Sequence, residues 1–343
     1  MKQPIHRSPV DAGRLLDLID AFGGVRVAVF GDLIVDEFIY GEISRVSREA
    51  PVLILNYSST EIVPGGAGNA ANNVAALGGS PIVIGIAGRD EPGRRLLGAL
   101  TGRADVTGVV RPAGHLTPTK TRILAGGVHS AKQQVVRVDR VSAPNLSDVD
   151  KRAVETRLLE AAARCNAMLV SDYGTGLVSP AVVAAARKRM AVRGRVPMLI
   201  DSRYALLRFR GMTASTPNES EVEQLFNIRI GENLRVLERA GRDLLKQTRA
   251  EAVLITRGSR GMALFERDRP TTHIPIHGSD QIADVTGAGD TVIATMTLAL
   301  AAGATFEEAA RLANYAGGLV VMKRGTATIS ADDLRVAVLS DLG

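Results

Sequence analysis

The stretch Asp284-Val285-Thr286-Gly287-Ala288-Gly289-Asp290 sets two glycines and an alanine between two carboxylates, directly ahead of the apolar run 291–303. The first turn of a helix leaves backbone N–H groups without partners, and the aligned peptide dipoles add partial positive charge at the same point. Phosphate fits such a place. Gly287 and Gly289 carry no side chain that would block an anion, and glycine reaches the positive φ values of a tight anion-binding turn. A carboxylate at the edge of that cradle, Asp290, can accept the proton of an attacking hydroxyl, the chemistry that phosphoryl transfer requires. The same residues also describe a turn in which an Asp caps a buried helix.

Other stretches carry residues of the same kind. Asp32 and Asp36 stand at or just past the end of the apolar run 25–30, where a carboxylate either bonds sugar hydroxyls or is an ordinary loop residue. Pro64-Gly65-Gly66-Ala67-Gly68-Asn69 is a glycine turn open to a ligand, with Asn69 offering both donor and acceptor, or a loop packed tightly on a sheet. Asn218 and Glu221 in Asn218-Glu219-Ser220-Glu221 can face magnesium or nucleotide phosphate, but they also form nearly a capping box ahead of Val222, Leu225 and Phe226. Thr256-Arg257-Gly258-Ser259-Arg260-Gly261 closes a strand and can line an adenine or phosphate pocket; Ser171-Asp172-Tyr173-Gly174 closes another. Lys120, Arg122, Lys132, Arg137 and Arg140 fall on two short strands and either meet a substrate phosphate or form a solvated face. The five histidines are dispersed, so no zinc site is indicated.

Apolar spacing shows what must hold these residues. Leu15, Leu18, Ile19 and Phe22 recur at helical period, and Gly23-Gly24 stops the helix. Continuous apolar runs at 25–30, 81–87, 167–171, 197–200 and 252–256 read as buried parallel strands, with a short strand at 213–217 and a hairpin at 262–266 and 272–276. Helices are expected at 92–100, 147–164, 180–193, 219–226, 232–248, 290–302, 306–322 and 331–340. Strands alternating with helices imply a doubly wound, mostly parallel α/β sheet. Segments 38–40, 52–57 and 61–63, with 119–124 and 134–138, read as a small inserted β flap. With no repeat and no Pro-, Gly- or Ser-rich linker, residues 1–343 are expected to form one domain.

A 45% hydrophobic and 23% charged composition supports a buried core and excludes disorder. The run 291–305 is too short and too broken by glycine to span a bilayer, and the first twenty residues show no signal-peptide pattern. The single cysteine, Cys165, precedes an apolar strand and reads as a core residue; with no internal disulfide possible, a reducing cytoplasm is expected. A net charge of +6 raises nucleic acid as a partner, but the basic residues are scattered and the 3% aromatic content, with no Trp, offers little for bases to stack on. Anionic small-molecule substrates fit the charge as well.

The order Gly-Gly-x-x-Asn, Asn-x-x-Glu and Asp-x-Thr-Gly-Ala-Gly-Asp on a βα framework resembles the ribokinase-like (PfkB) sugar kinases across residues 25–335. Within them the chain is most similar to the heptose 7-phosphate kinases of lipopolysaccharide-core biosynthesis. That narrower likeness rests on Ser44 to Pro51, Pro64 to Asn69, Gln133-Gln134 with Arg137 and Asp139, Ser171-Asp172-Tyr173, Asp284 to Thr291 and Lys323-Arg324-Gly325-Thr326. The resemblance implies ATP and Mg²⁺ as cofactors, with a monovalent cation as a further candidate, and a sugar or sugar phosphate as acceptor. It implies Asp290 as catalytic base and Gly287, Ala288 and Gly289 as the anion hole. Asp36, Gly65, Gly66 and Asn69 match sugar-binding positions. Asn218 and Glu221 match the motif that organises magnesium and the nucleotide phosphates, Glu221 acting on the metal indirectly. Gly258, Gly261 and Asn314 fall on the nucleotide side. Segments 37–63 and 115–140 would form a lid that closes over the sugar and carries a homodimer contact. Three departures touch the site: Thr175 stands where the heptose kinases have a lysine, Asp201-Ser202-Arg203 replaces Asp-Pro-Lys, and Asp36-Glu37-Phe38 replaces Asp-Arg-Tyr. No stretch of the chain resembles the nucleotidyltransferase that some heptose kinases carry. The rival readings are a kinase for ribose, fructose 6-phosphate or a similar sugar, and a non-catalytic sugar or nucleotide sensor on the same fold. A Rossmann dehydrogenase is disfavoured because the first strand ends in Gly31-Asp32-Leu33-Ile34 without Gly-x-Gly-x-x-Gly.

Overall fold

Strand β1 (Arg26–Gly31) runs through the middle of the main sheet because its side chains are apolar on both faces. Val27 and Val29 join one hydrophobic core. Ala28 and Phe30, pointing the other way, join a second. The computed structural model describes residues 11–126, 132–141, 146–278, 285–323 and 325–342.

Around β1 the described chain runs through α1 (Ala12–Asp20), β2 (Leu33–Val46), β3 (Leu53–Gly66), α2 (Ala67–Ala76), β4 (Ser80–Ile86), α3 (Glu91–Leu100), β5 (Asp105–Val110), β6 (Thr119–Gly126) and β7 (Gln133–Arg140). The second half adds α4 (Asp148–Ala162), β8 (Ala167–Asp172), α5 (Pro180–Ala191), β9 (Met198–Ser202), β10 (Ala214–Ser215), α6 (Glu219–Phe226) and α7 (Leu234–Thr248). It ends with β11 (Ala252–Thr256), β12 (Met262–Glu266), β13 (Thr272–Ile274), α8 (Ala288–Ala301), α9 (Phe306–Val320) and α10 (Ala331–Leu342). Nine strands form the main sheet in the order β13-β12-β11-β10-β9-β8-β1-β4-β5. The pairs from β11 to β5 are parallel, and β12 and β13 close one edge as the expected antiparallel hairpin. Helices α1, α2, α3, α8, α9 and α10 cover one face and α4, α5, α6 and α7 the other, each through its apolar side. The doubly wound expectation therefore holds.

The flap is a four-stranded sheet in the order β3-β2-β6-β7. Its strands are longer than the broken apolar pattern suggests. β2 and β3 form one long hairpin, and Pro64, Gly65 and Gly66, expected in a turn, are the last rungs of β3 opposite Val35, Ile34 and Leu33. Glycine is needed there: a Cβ on Gly65 would lie 2.2 Å from the Asp36 carboxylate, and one on Gly66 2.4 Å from the Asp32 carbonyl. Strand β5 was not anticipated, because Asp105 and Thr107 interrupt its apolar pattern at the edge of the sheet. Cys165 is buried among apolar neighbours, as expected of a core residue.

Candidate active site

Helix α8 starts at Ala288, two residues before the expected start at 290, so Asp290 lies inside its first turn. The N-cap is Gly287, at φ +79°, and among the described residues no side-chain cap bond is made there. The reading of Asp290 as a cap is thereby excluded. Gly287 is held to glycine twice over: its φ is left-handed, and a Cβ would lie 2.6 Å from Asn69 Nδ2. Gly289 faces open space, the nearest atom to an added Cβ being Asp201 Oδ2 at 3.9 Å. Thr286 and Val285 lead into this turn; Asp284, the first carboxylate of the motif, lies outside the described residues, as does Arg324.

Asp290 is 4% exposed. Asn69 Nδ2 donates to its Oδ2 at 2.7 Å, and the Tyr173 hydroxyl donates to its two oxygens at 3.3 and 3.4 Å. Asn69 is fixed in turn by Asn73, one helical turn along α2, whose Nδ2 donates to the Asn69 carbonyl and side-chain oxygen at 2.9 and 3.2 Å. The Thr291 hydroxyl donates to Asn73 Oδ1 at 2.7 Å and closes the loop back to α8. Burial raises the Asp290 carboxyl to about 7, with the Asp36 charge pushing the same way; the hydrogen bonds from Asn69 and Tyr173 and the charge of Lys120 oppose it. The Tyr173 phenol is driven well above its ordinary value, first by burial and then by the charge of Asp290, and so stays a donor. Asp290 is thus a pre-oriented carboxylate that binds and releases a proton near neutrality, at the mouth of an uncapped helix.

A cleft of about 650 Å³ opens beside it. Gly287, Ala288, Gly289 and Asp290 line one wall, and Asn218, Glu221, Gly258, Gly261 and Asn314 line others. Asn218 and Glu221 do form the capping box of α6: each side chain accepts from the other's backbone N–H at 2.9 Å. Glu221 and Asp201 both line the cleft; burial holds both carboxyls above their usual range, and for Asp201 the charge of Glu221 adds to it. Gly261, at φ +75°, packs against the Ile274 carbonyl, where a Cβ would lie 2.1 Å away, whereas Gly258 faces open space. The loop between them is tied down by Glu219, which accepts from buried Arg257 at 2.7 Å and from Arg260 at 2.5 Å. Asn314 donates to the Pro275 carbonyl at 2.9 Å.

Asp36, Gly65 and Gly66 lie outside the cleft, at the base of the lid. Buried Arg122 of β6 pairs with Asp36, and Lys120 stands beside Asp36 in the parallel β2–β6 register with its ammonium 4.7 Å from the Tyr173 ring centroid. Asp32 is buried and committed to the fold: it accepts from the Tyr173 amide at 2.8 Å and from the Thr175 amide and hydroxyl at 3.2 and 2.5 Å. It thereby holds the turn that carries Tyr173. Among the described residues no three His, Cys, Asp or Glu side chains converge as a metal cluster, and no helix is long and apolar enough to cross a membrane.

Residues 26–333 match the model of the pfkB family carbohydrate kinases. The chain belongs to that family. Among curated proteins it is 41% identical over 320 residues to the bifunctional protein HldE of Geobacter sulfurreducens, covering 91% of this chain and 62% of that protein. It is 39% identical to the HldE protein of Caulobacter vibrioides, covering 96% of this chain and 66% of the other. The chain thus spans a little under two thirds of the length of these relatives. Among solved structures, Arabidopsis thaliana ribokinase complexed with ribose and ATP superposes with TM-score 0.68 at 20% identity, covering 93% of this chain and 98% of the other. Escherichia coli phosphofructokinase-2 in complex with substrates and products gives 0.72 at 21% identity, covering 92% and 98%. Both share the ribokinase-like fold.

In this carbohydrate kinase the fold brings ten of the residues singled out in the sequence to one place: the nine that line the cleft and Asn69, which reaches Asp290. Asp36 joins them through its charge, whereas Gly65 and Gly66 contribute close backbone packing rather than a cleft surface. Asp32 is the residue that links β1 to β2, but it is buried, so it is neither an exposed loop residue nor open to a sugar. Sequence reasoning gave no role to the Tyr173 hydroxyl, Asn73, Thr291 or Asp201. The i, i+4 spacing of Asn69 and Asn73 in a small-residue helix was the available signal for the first relay. Nothing local to Tyr173 or Asp201 reveals that β8 and β9 end beside α8.

Proposed function

We propose that this chain transfers the γ-phosphoryl group of ATP to the anomeric hydroxyl of a heptose 7-phosphate. The observation that carries the reading is the buried Asp290 carboxyl, raised to about 7 and aimed by Asn69 and Tyr173 at the uncapped start of α8. In this reading Asp290 takes the proton of the acceptor hydroxyl, and the backbone of Gly287, Ala288 and Gly289 faces the charge that develops on the transferring group. Gly258, Gly261 and Asn314 receive the nucleotide. Two desolvated carboxylates set against each other, Asp201 and Glu221, fit a divalent cation, whose charge would relieve their repulsion. Asp201 and Glu221 would hold Mg²⁺ with Asn218 beside it, and the ion when bound supplies positive charge to the phosphates. A monovalent cation completes the cofactor set we assign.

The acceptor reading is supported by the HldE relatives and by the segments Ser44 to Pro51, Gln133-Gln134 and Ser171-Asp172-Tyr173. A second reading, another phosphorylated sugar, is favoured by Thr175, which turns its hydroxyl to Asp32 where the heptose kinases present a lysine. We further assign residues 1–343 to one kinase domain with segments 37–63 and 115–140 as its lid, acting in the cytoplasm on small molecules. The exposed Val135, Val136 and Val138 of β7 suit a homodimer contact between lids. An acceptor screen with Mg-ATP tests the function. Release of ADP should depend on heptose 7-phosphate, with ³¹P NMR placing the new phosphate on the anomeric carbon. Faster turnover of fructose 6-phosphate or ribose would move the assignment to another sugar, and no turnover with any acceptor would overturn it.

A further inference from the structure

The lid carries a cross-strand arrangement that the transfer chemistry does not use. In register, Asp36 of β2, Lys120 of β6 and Asp139 of β7 form one row, and Phe38, Arg122 and Arg137 form the row two residues along. Residues two apart on a strand share a face, so both rows belong to one surface. Asp36 and Asp139 each already have a guanidinium: Arg122 pairs with Asp36, and Arg137 forks onto Asp139 at 2.7 and 2.5 Å. Glu61 of β3, opposite Phe38, accepts from the Tyr40 hydroxyl at 3.2 Å where the Lys132 ammonium lies 5.8 Å from the Tyr40 ring centroid. Lys120 is left over. Among the described residues no carboxylate lies within ion-pair distance of it, although it is half-buried with its ammonium over the Tyr173 ring. Burial pushes the ammonium below its ordinary value against the opposing charge of Asp36, and Arg203, after β9 in the main domain, acts with burial, as do Arg137 and Arg122 of the lid.

We propose that this face is the binding site for a phosphate already carried by the acceptor, with Lys120 at its centre and Arg137 and Arg203 at its rim. This rests on the kinase reading above and deepens it. Lys120, Arg122 and Arg137 outnumber Asp36 and Asp139 by one charge, and Arg203 adds a second from across the site, where it is shared with Asp201 and Glu221. A phosphate monoester brings about −1.5 to −2 at neutral pH and accepts from several donors at once. A neutral sugar would leave the Lys120 ammonium desolvated and without an ion-pair partner. Geometry also sets the spacing. Lys120 sits on the ring face of Tyr173 while the hydroxyl of that ring touches Asp290, so the anion and the reacting hydroxyl are a phenol's length apart. The site therefore selects an acceptor whose phosphate lies several atoms from the hydroxyl it presents.

The test compares wild type with Lys120→Gln, Arg137→Gln and Lys120→Arg by titration calorimetry and steady-state kinetics. The ligands are heptose 7-phosphate, fructose 6-phosphate, the two unphosphorylated sugars and inorganic phosphate. The wild type should bind a sugar phosphate at least tenfold more tightly than its parent sugar, and inorganic phosphate should compete with the acceptor. Lys120→Gln should reduce that preference about tenfold or more through KM rather than kcat, Arg137→Gln less, and Lys120→Arg should restore most of it. Unaltered preference in Lys120→Gln, or a wild type that favours the unphosphorylated sugars, would overturn the proposal. If heptose 7-phosphate is not turned over but another sugar phosphate binds in a Lys120-dependent way, the heptose reading fails and this site stands.

Discussion

Replacing Asp290 by Asn should cut turnover and stabilise the fold at the same time, with a stabilisation that grows with pH. Its carboxyl moves from 3.8 to about 7 on folding, so the folded chain holds this proton where the unfolded chain has released it. Below about pH 4 both states are protonated and the group has no effect. As pH rises from there to 7 the unfolded state ionises first, and stability falls by about 1.4 kcal/mol per pH unit. Over about three units this amounts to a ceiling of about 4 kcal/mol, fully felt above pH 7. Asparagine keeps the shape and can still accept from Asn69 and Tyr173, but it has no proton to lose. Urea unfolding of both proteins at pH 5, 6, 7 and 8 measures the gap between them. It should widen by a few kcal/mol across the series, while kcat of the variant falls by about 10² to 10⁴. A gap that stays constant, or that shrinks toward pH 8, would show that Asp290 is not held in surroundings that favour its neutral form.

Other expected outcomes follow from the same geometry. The wild-type kcat/KM should rise with pH to a plateau with an apparent pKa near 7, because only the ionised Asp290 accepts a proton. In Asn69→Ala the loss of a donor to the carboxylate should move that midpoint upward, whereas Asn73→Ala should lower kcat with a smaller displacement, since it acts only by orienting Asn69; pH–rate profiles separate the two. Gly287→Ala should cost about 1–2 kcal/mol for its left-handed φ and push Asn69 off Asp290, so kcat should fall more than thermal stability. Glu219→Ala leaves buried Arg257 without its carboxylate and should destabilise by about 3–5 kcal/mol in a denaturant melt, while Glu219→Gln should lose less.

Particular residues show where the sequence was legible and where it was not. Continuous apolar runs such as 25–30 and 252–256 mark strands buried on both faces, because a parallel sheet covered by helices leaves no polar side. The capping box at Asn218 and Glu221 was equally legible, since it needs only a three-residue spacing. Strand β5 and the full length of the lid hairpin were not. Edge and lid strands face water on at least one side, so their residues need not be apolar, and β7 is exposed along its whole length.

The sequence by itself determined the chemistry at the start of α8: two glycines that leave backbone accessible and a carboxylate one turn in. It also determined the α/β class, since hydrophobic period is a local property. Only the tertiary structure decided what Asp290 is. Its carboxyl is raised to about 7 because burial and the charge of Asp36 outweigh the hydrogen bonds from Asn69 on α2, 221 residues away, and from Tyr173, 117 residues away, none of which a local pattern records. The same holds for Lys120. In the chain it is one of several scattered basic residues, and among the described residues it lacks an ion-pair partner only because β2, β6 and β7 align in register and spend Asp36 and Asp139 on the two arginines.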